Sequence, residues 1–228
     1  MPVYALGEKY PVFPPPENAS EEGLLAIGGR LTPEWLVEAY SSGVFPWFNE
    51  GDPILWWSVE PRSVLLPKRV HVQKSMKPYL NSDEYRFFLD RDFSKVIENC
   101  AEAPGRGKNH TWLSPEMIDA YEELHRLGLA HSAEIYRDEE LIGGLYGVSL
   151  GKAFFGESMF SLAKNTSKLS LIRLCQFLYD HDFDFVDCQV HTHHLERMGA
   201  QPHSRRDYMK MLNAALKKPT LQGKWQAQ

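Results

Sequence analysis

An aspartate and a glutamine two residues apart interrupt the apolar segment FVDCQV. Side chains alternate between the two faces of a strand, so Asp187 and Gln189 would point the same way, with Cα atoms about 6–7 Å apart. Asp is depleted in strands, and a polar pair in an apolar strand needs partners or a purpose. Two interpretations stay open at this point: a pair that takes part in chemistry, or a polar patch that faces solvent or a neighbouring loop.

A second candidate is the carboxylate in AFFGESMF, where Glu157 lies among large apolar residues. An unpaired carboxylate would be costly if it were buried there. Glu157 could bind an amine or a hydroxyl of a ligand. It could also be an acid at a strand end that faces water, which the spacing alone favours.

Three histidines follow the strand in HTHH, namely His191, His193 and His194. Clustered His and Asp side chains can hold zinc. However, His193 and His194 are adjacent and would diverge on a helix, and no fourth ligand stands out. We therefore predict no metal site, and the sequence assigns the cluster no role.

An aromatic loop is the fourth candidate, in residues 43–57, GVFPWFNEGDPILWW. Its glycines and prolines exclude a helix or a long strand. Exposed aromatic rings can stack on a nucleobase, and Trp112 in NHTWLS could supply a second wall. The alternative is that these tryptophans seal a contact between two units, which we expect for Trp56 and Trp57.

A basic segment follows this loop. Residues 61–82 contain no Asp or Glu. They contain six basic side chains: Arg62, Lys68, Arg69, His71, Lys74 and Lys77. Such a segment fits a partner that is anionic at one end, or a solvated face whose acids lie elsewhere in sequence.

The order of elements indicates how these residues are positioned. A helix with Thr32 as cap precedes Gly43, and a second is capped by Ser114 and ends before Gly128. Three antiparallel strands, a helix, the FVDCQV strand, a short helix and a last helix capped by Ser204 follow. The order β-β-β-α-β-α predicts an α+β fold, with helices packed on a mostly antiparallel sheet. We place a small N-terminal unit at residues 1–64 and a larger one at 65–228.

Composition excludes several classes of protein. The 228 residues are 43% hydrophobic and 24% charged, which is typical of a globular domain and not of a disordered or membrane protein. A net charge of −5 excludes a general nucleic-acid binder held by bulk positive charge. The start lacks the features of a signal peptide, and the three scattered cysteines suggest reduced thiols in the cytoplasm.

Together these segments resemble one family, the leucyl/phenylalanyl-tRNA–protein transferases of bacteria. The matching stretches run from about residue 23 to 208: GLLAIGGRLTPEWLVEAYSSGVFPWF, GDPILWWS, PRSVL, SMK, LGLAHSAEIY, LIGGLYGVSLGKAFFGESMFS, DCQV, GA and RRDY. No single piece is specific, but FPWF, GDPILWWS, GESMFS and DCQV in this order are. The resemblance implies transfer of Leu or Phe, with Met as a further candidate, from aminoacyl-tRNA to proteins that begin with Arg or Lys. That addition marks the protein for degradation under the N-end rule.

The resemblance also implies a structure and a set of roles. The C-terminal domain would be acetyltransferase-like (GNAT-like), and the N-terminal unit a small α/β domain. Trp47 and Trp112 match residues that hold the terminal adenosine of the tRNA. Leu145 and Phe154 match the pocket for the aminoacyl side chain, with Glu157 nearby, and Asp187 and Gln189 match the catalytic pair.

This chemistry needs no cofactor, because the aminoacyl ester is already activated. The Gln189 amide oxygen can accept from the attacking amine, while Asp187 orients it and favours the developing positive charge. The segment after SMK departs from the family pattern at Pro78 and Asn81. The acceptor stem would then meet Arg69, Lys74 and Lys77. We expect a cytoplasmic monomer.

Two rival functions remain at this stage. A CoA-dependent N-acetyltransferase fits the order of the C-terminal elements, but it holds pyrophosphate in a glycine-rich turn before a helix. The corresponding turn here, SLAKNTSKLS, has no glycine. A non-catalytic module that binds the tRNA end would use the Trp loop and the basic segment but would not need Asp187 or Gln189.

Overall fold

The structure is a computed structural model that describes residues 3–102 and 113–227. The strands form two sheets, and the smaller sheet contains the N-terminal strands. Its strands are β1 Tyr4–Leu6, β2 Leu24–Gly28, β3 Phe45–Pro46 and β4 Leu55–Trp57, in the order β1-β2-β4-β3. Helix α1, Pro33–Ser41, buries Trp35, Leu36, Ala39 and Tyr40 at the spacing of one helical face.

The larger sheet has seven strands in the order β11-β5-β10-β9-β8-β7-β6. They are β5 Arg62–Leu65, β6 Arg86–Leu89, β7 Ala130–Arg137, β8 Glu140–Leu150, β9 Ala153–Ser161, β10 Phe185–Gln189 and β11 Gln201–His203. The remaining helices are α2 Lys77–Leu80, α3 Phe93–Ala101, α4 Pro115–Arg126, α5 Thr166–Asp180, α6 His193–Arg197 and α7 Arg205–Leu216. The predicted α+β class with a mostly antiparallel sheet is confirmed.

Two tight turns build the predicted three-stranded meander. Asp138 and Glu139 both have positive φ, 48° and 67°, which is the geometry of a two-residue hairpin turn that matches strand twist. At the second turn a Cβ on Gly151 would lie 2.2 Å from the carbonyl oxygen of Ala215, so only glycine fits under the last helix. Strands β7, β8 and β9 follow each other antiparallel, as the sequence predicts.

One pair of neighbours in the larger sheet is parallel. The crossover helix α5 joins β9 to β10, and the two strands pair only from Ala153–Phe155 to Phe185–Asp187. Beyond this point β9 runs on to Ser161 while β10 ends at Gln189. The two strands therefore separate inside the sheet, which opens a space between them.

A hydrophobic cluster connects the two sheets. The ring centroids of Tyr40 in α1 and Phe155 in β9 are 5.0 Å apart. A second cluster lies beneath α5, on the other face of the larger sheet.

The predicted division into two units at 64/65 stays a prediction, but strand β5 spans it and pairs with β10 and β11 of the larger sheet. Trp56 packs against Phe13 and Trp35 within the small unit and belongs to the cluster that both sheets share, so the expectation that Trp56 and Trp57 seal the contact between the units stays a prediction.

Three predicted cap residues lie at the N-cap positions of their helices, and two of them make the capping hydrogen bond. Ser114 and Ser204 accept hydrogen bonds from the backbone amides of Met117 and Asp207, as predicted. Thr32 is the N-cap residue of α1, as predicted, but its side chain makes no capping hydrogen bond, and its hydroxyl donates to Glu34 at 2.6 Å. No helix among residues 3–102 and 113–227 is long and apolar enough to cross a bilayer.

Candidate active site

A cavity of about 300 Å³ opens where β9 and β10 separate. This volume is at the lower end of the range for small-molecule sites. Its walls come from β8, β9, the end of β10 and the helices α5 and α6. The lining residues are Leu145, Tyr146, Phe154, Gly156, Glu157, Ser158, Met159, Leu171, Leu174, Val186, Cys188, Gln189, Val190, Thr192, His194 and Leu195. The lining is mainly apolar, and Glu157 and Gln189 add polar groups to it.

A β-bulge brings Glu157 into this cavity. Tyr146 pairs with Ser158 and Gly147 pairs with Gly156, so Glu157 is the extra residue on β9. A bulge re-aims the side chain of its extra residue, and bulges are common beside active sites. A Cβ on Gly147 would lie 2.1 Å from the Phe155 carbonyl oxygen, so this close approach at the bulge requires glycine.

A chain of hydrogen bonds holds the Glu157 carboxylate. Tyr121 donates to its Oε2 at 2.8 Å, and the Tyr121 and Tyr40 hydroxyls lie 2.5 Å apart. The Gln189 amide nitrogen donates to its Oε1 at 2.7 Å. Burial raises the pKa of Glu157 to about 7, although the tyrosine and glutamine donors favour the ionised form. Burial also raises the pKa of Tyr121 well above its ordinary range, so this phenol keeps its proton.

Asp187 lies on the other side of the strand and is fully buried, with 0% exposure. Arg62 of the neighbouring strand β5 donates to both of its oxygens, Nε to Oδ1 at 2.9 Å and Nη2 to Oδ2 at 2.8 Å. The Tyr208 hydroxyl donates to Oδ2 at 2.7 Å. The backbone amide of Gln189 donates to Oδ1 at 2.9 Å. Asp187 is therefore a carboxylate held in the core, and it does not line the cavity.

Gln189 takes a strained backbone conformation at the end of β10. Its φ is +57°, and the register with β5 shifts between Asp187 and Gln189. This left-handed conformation costs about 1–2 kcal/mol for a residue with a Cβ. The hydrogen bond to Asp187 stabilises it. Because the Gln189 amide group faces the Glu157 carboxylate with its nitrogen, its oxygen is directed away from that carboxylate.

The expectation that Asp187 and Gln189 share one face of the strand is wrong, because the bulge changes the alternation after Asp187. The pair is coupled through the Gln189 backbone instead, while the two side chains have separate surroundings. The side chain that does contact Gln189 is Glu157.

Comparison with known proteins assigns the chain to a family. A family model for leucyl/phenylalanyl-tRNA protein transferase matches residues 64–213, and one for the N-terminal domain of that family matches residues 29–60. The chain belongs to the leucyl/phenylalanyl-tRNA–protein transferase family. The family is one of aminoacyltransferase enzymes, in agreement with the resemblance described above.

Relatives with this name match nearly the whole chain. The transferase of Myxococcus xanthus is 47% identical over 226 residues, which cover 99% of this chain and 97% of the relative. The transferase of Maridesulfovibrio salexigens is 49% identical over 227 residues, which cover 99% of this chain and 94% of the relative.

Solved structures give a looser match. The structure of L-PGS from Bacillus licheniformis has a TM-score of 0.42 and 11% identity, and covers 88% of this chain and 66% of that one. A GCN5-related N-acetyltransferase from Kribbella flavida has a TM-score of 0.36 and 9% identity, and the match covers 75% of this chain and 61% of that one. Superpositions this loose carry no argument about substrate or mechanism.

The structure brings four of the predicted site residues together around the cavity: Leu145, Phe154, Glu157 and Gln189. Trp47 is separate from this lining, with 47% of its surface exposed. Its backbone is fixed, since its amide donates to the Leu55 carbonyl at 3.0 Å and its own carbonyl accepts from the Trp57 indole at 2.6 Å. Trp112 lies outside the described residues.

The predicted tRNA-binding residues lie on short helical turns. Arg69, Lys74 and Lys77 are all exposed, and none of them lines the cavity. Of the two residues at which this segment departs from the family pattern, Pro78 lies in the first turn of α2, and Asn81 follows the end of that helix at Leu80. Arg62 does not belong to this basic surface, because it is buried against Asp187.

Four residues that hold the site are not predicted from the sequence: Tyr40, Arg62, Tyr121 and Tyr208. The three tyrosines occupy apolar stripes of helices α1, α4 and α7, where an aromatic ring is ordinary core and its hydroxyl gives no signal. Arg62 gave a weak signal, since it opens the apolar strand RSVL, where an unpaired cation would be costly.

Proposed function

We propose that this protein transfers leucine, phenylalanine or methionine from aminoacyl-tRNA to the N-terminal amine of proteins that begin with Arg or Lys. The product would then enter N-end-rule degradation. The observation that carries this proposal is one cavity that combines an apolar wall with the hydrogen-bonded pair Glu157 and Gln189. Family membership supplies the two substrate classes, aminoacyl-tRNA and protein.

The apolar part of the cavity is the proposed slot for the aminoacyl side chain. Leu145 and Phe154 lie on adjacent strands and form part of its wall. Such a slot accepts a γ-branched, unbranched or aromatic side chain by burying it. A β-branched side chain is stiff next to the backbone and would crowd the mouth.

The transfer step replaces an ester bond with an amide bond. The amine nitrogen of the acceptor attacks the ester carbonyl carbon, the bond from that carbon to the ribose oxygen breaks, and the amine loses a proton. The Gln189 amide oxygen is the proposed acceptor for a hydrogen bond from the amine as positive charge develops on its nitrogen. Asp187 acts as a positioning residue, since it fixes the Gln189 backbone through Oδ1.

Glu157 is the group that we propose takes the proton. Its pKa of about 7 lets it exist partly as carboxylate at neutral pH and accept a proton there. The leaving ribose oxygen needs a proton of its own, so the proton balance closes when Glu157 returns the one that it received.

The nucleic acid would bind outside the cavity. We propose that Trp47 stacks on the terminal adenosine, a contact worth about 1–3 kcal/mol, and that Trp112 supplies the second wall. Arg69, Lys74 and Lys77 would bind phosphates of the acceptor stem, since their exposed cations lie in a segment without acids. We also propose that the protein acts as a cytoplasmic monomer.

The decisive experiment is incubation with radiolabelled Leu-tRNA and peptides that differ only in their first residue. We expect label in peptides that begin with Arg or Lys, and little in matched peptides that begin with Ala or Glu. Acetyl-CoA supplied as the only donor should give no product. Saturable binding of uncharged tRNA without transfer to any peptide would instead indicate a module that binds the tRNA end.

A further inference from the structure

Outside the cavity, three side chains on the α6 turn converge on one point. Glu196 Oε2 lies 3.3 Å from His193 Nδ1 and 3.7 Å from His191 Nε2. All three donor atoms lie within 4.8 Å of one another. Such a set consists of two imidazoles and one carboxylate, which are common ligands of divalent transition metals.

The spacing suits a metal ion with short bonds. Zinc bonds of about 2.0–2.1 Å in tetrahedral geometry place neighbouring donor atoms about 3.3–3.4 Å apart. The Glu196–His193 separation already matches this value, and His191 needs a shift of a few tenths of an ångström toward Glu196. The donor atoms of the two imidazoles lie within 4.8 Å of each other and must also approach this value. Exposed side chains can make such a shift by rotating.

The backbone holds the three ligands in this arrangement without an ion. Thr192 caps α6, where its hydroxyl accepts from the Leu195 amide at 3.2 Å and its carbonyl accepts from the Glu196 amide at 2.9 Å. His191 precedes this cap, while His193 and Glu196 belong to the turn that follows it. The positions of the ligand Cα atoms are therefore set by the fold, and only the side chains adjust.

Water can reach the same point. His193 has 92% of its side chain exposed, His191 39% and Glu196 57%. An ion would therefore retain at least one water as a further ligand, as three-ligand zinc sites do. Open exposure also means that binding would not require a charge to be buried, although it makes the site weaker than an enclosed one.

We propose that His191, His193 and Glu196 form a binding site for one divalent transition-metal ion of the zinc or cobalt class. The sequence predicts no metal site here, because no additional ligand stands out beside the histidines. The turn of α6 supplies Glu196, three residues after His193. Imidazole ligands disfavour Mg²⁺, which prefers oxygen donors.

The site lies on the outer side of a cavity wall. Val190, Thr192 and Leu195 line the cavity, and the three proposed ligands come from the same short segment but are absent from that lining. An ion would join the residue that follows β10 to the first turns of α6. It would therefore brace this segment of the wall. This inference does not depend on the proposed function.

The test uses the full chain without a histidine tag, first stripped with a chelator. We expect Co²⁺ to give visible d–d absorption that saturates at one ion per chain, and Zn²⁺ to displace it. Mg²⁺ should do neither. His193→Ala should weaken Co²⁺ binding by about 10–100-fold. Loss of a residue that only hydrogen-bonds to a metal ligand already has an effect of this size, and His193 is a proposed ligand itself. The melting temperature of this variant with chelator should equal that of wild type, because this side chain packs on little.

Two matched variants complete the test. His203→Ala removes a histidine outside the cluster and should leave the titration unchanged. Glu196→Gln keeps the size of the side chain but removes its charge, and should weaken binding as His193→Ala does. Absence of saturable Co²⁺ binding, or equal affinity in wild type and His193→Ala, would overturn the proposal. In that case Glu196 is only a polar neighbour of the two imidazoles.

Discussion

At the scale of single residues, the two carboxylates of the site differ in surroundings and therefore in role. Asp187 is fully buried and receives hydrogen bonds from an arginine, a tyrosine and a backbone amide. Glu157 lies at the cavity and, within the part of the chain that the structure describes, accepts hydrogen bonds from the neutral side chains of Tyr121 and Gln189. Burial disfavours the charged form of Glu157 and raises its pKa to about 7.

Asp187→Asn should destabilise the fold more than it affects any single step of transfer. The substitution leaves the buried Arg62 cation without its charge partner, and breaking such a pair costs about 3–5 kcal/mol. Thermal denaturation should show a large fall in melting temperature. The matched control is Asp184→Asn, which breaks a largely exposed pair with Lys218 and should cost about 1 kcal/mol or less. Equal melting temperatures for the two variants would contradict this prediction.

In contrast to Asp187→Asn, Gln189→Ala should slow transfer strongly and change stability little. It removes one hydrogen bond at the cavity and keeps a Cβ in the same left-handed conformation, so the fold should be nearly unchanged. Single-turnover transfer from pre-bound Leu-tRNA should slow by about 10²-fold or more, while tRNA affinity stays the same. A full transfer rate in this variant would make Gln189 part of a polar patch without a catalytic role.

The pKa of Glu157 predicts a dependence of stability on pH. Folding raises this pKa from its ordinary value of 4.5 to about 7, so between these two values the folded state binds a proton that the unfolded state has released. The contribution is stabilising at low pH and is lost as pH rises through about 7. Glu157→Gln has no titrating group at this position. The melting temperature of wild type minus that of Glu157→Gln should therefore fall between pH 5 and pH 8, and a constant difference would show that Glu157 is not perturbed.

At the scale of elements, the aromatic loop divides into a packed part and an exposed part. Trp56 is fully buried, and its indole donates to the Gly28 carbonyl at 2.7 Å. Trp47 is held only through its backbone and a tilted contact with the Trp57 ring at 5.8 Å. The strand pairing of β3 with β4 fixes the loop, so the exposed ring needs no packing of its own.

Trp47→Ala should therefore weaken binding of aminoacyl-tRNA by about 1–3 kcal/mol and leave the melting temperature close to that of wild type. Trp56→Ala is the matched control, and should lower stability by about 3–5 kcal/mol because it empties a buried site. Filter binding and thermal denaturation of both variants measure the two quantities separately. A Trp47→Ala protein that melts early but binds tRNA normally would show that Trp47 serves packing.

The elements also show how far the sequence could predict this structure. The β7–β8–β9 meander and the caps at Ser114 and Ser204 follow from local turn and capping chemistry, which a short window contains. The bulge at Glu157 depends on register between strands, and the Arg62–Asp187 pair joins residues 125 positions apart. Neither leaves a local signal. The cavity depends on the parallel pairing of β9 and β10, which is a property of the whole sheet.

At the scale of the whole molecule, the C-terminal segment supports the cavity from behind. Trp225 is buried, its backbone amide donates to Asp90 Oδ2 at 2.7 Å, and its ring stacks on His131 with centroids 3.6 Å apart. The same ring lies 6.0 Å from Phe154, which lines the cavity. Burial lowers the pKa of His131, which favours a neutral imidazole in this stack.

Trp225→Ala should change the preference between leucine and phenylalanine as well as stability. Space behind Phe154 would let this ring move back and enlarge the slot, so transfer from Phe-tRNA should rise relative to Leu-tRNA by several-fold. Trp225→Phe keeps an aromatic ring and should restore most of the original ratio. The measurement is single-turnover transfer from both aminoacyl-tRNAs below the melting temperature of each variant. An unchanged ratio in Trp225→Ala would limit Trp225 to a role in folding.

The hydrogen bond between Tyr40 and Tyr121 has a consequence for how such enzymes could recombine. Tyr40 belongs to the small N-terminal unit, whereas Tyr121 belongs to α4 and Glu157 to β9. The hydrogen bonds that hold the Glu157 carboxylate, whose pKa is raised, therefore depend on both units. Arg62, in strand β5 of the larger sheet, adds a second link between the two sheets, because its Nη1 donates to the Gly43 carbonyl just before β3 at 3.2 Å. A chimera that joins the N-terminal unit of one relative to the remainder of another should therefore be active only when the tyrosine hydroxyl pair is retained. The two halves would be inherited as a matched set and not as interchangeable modules.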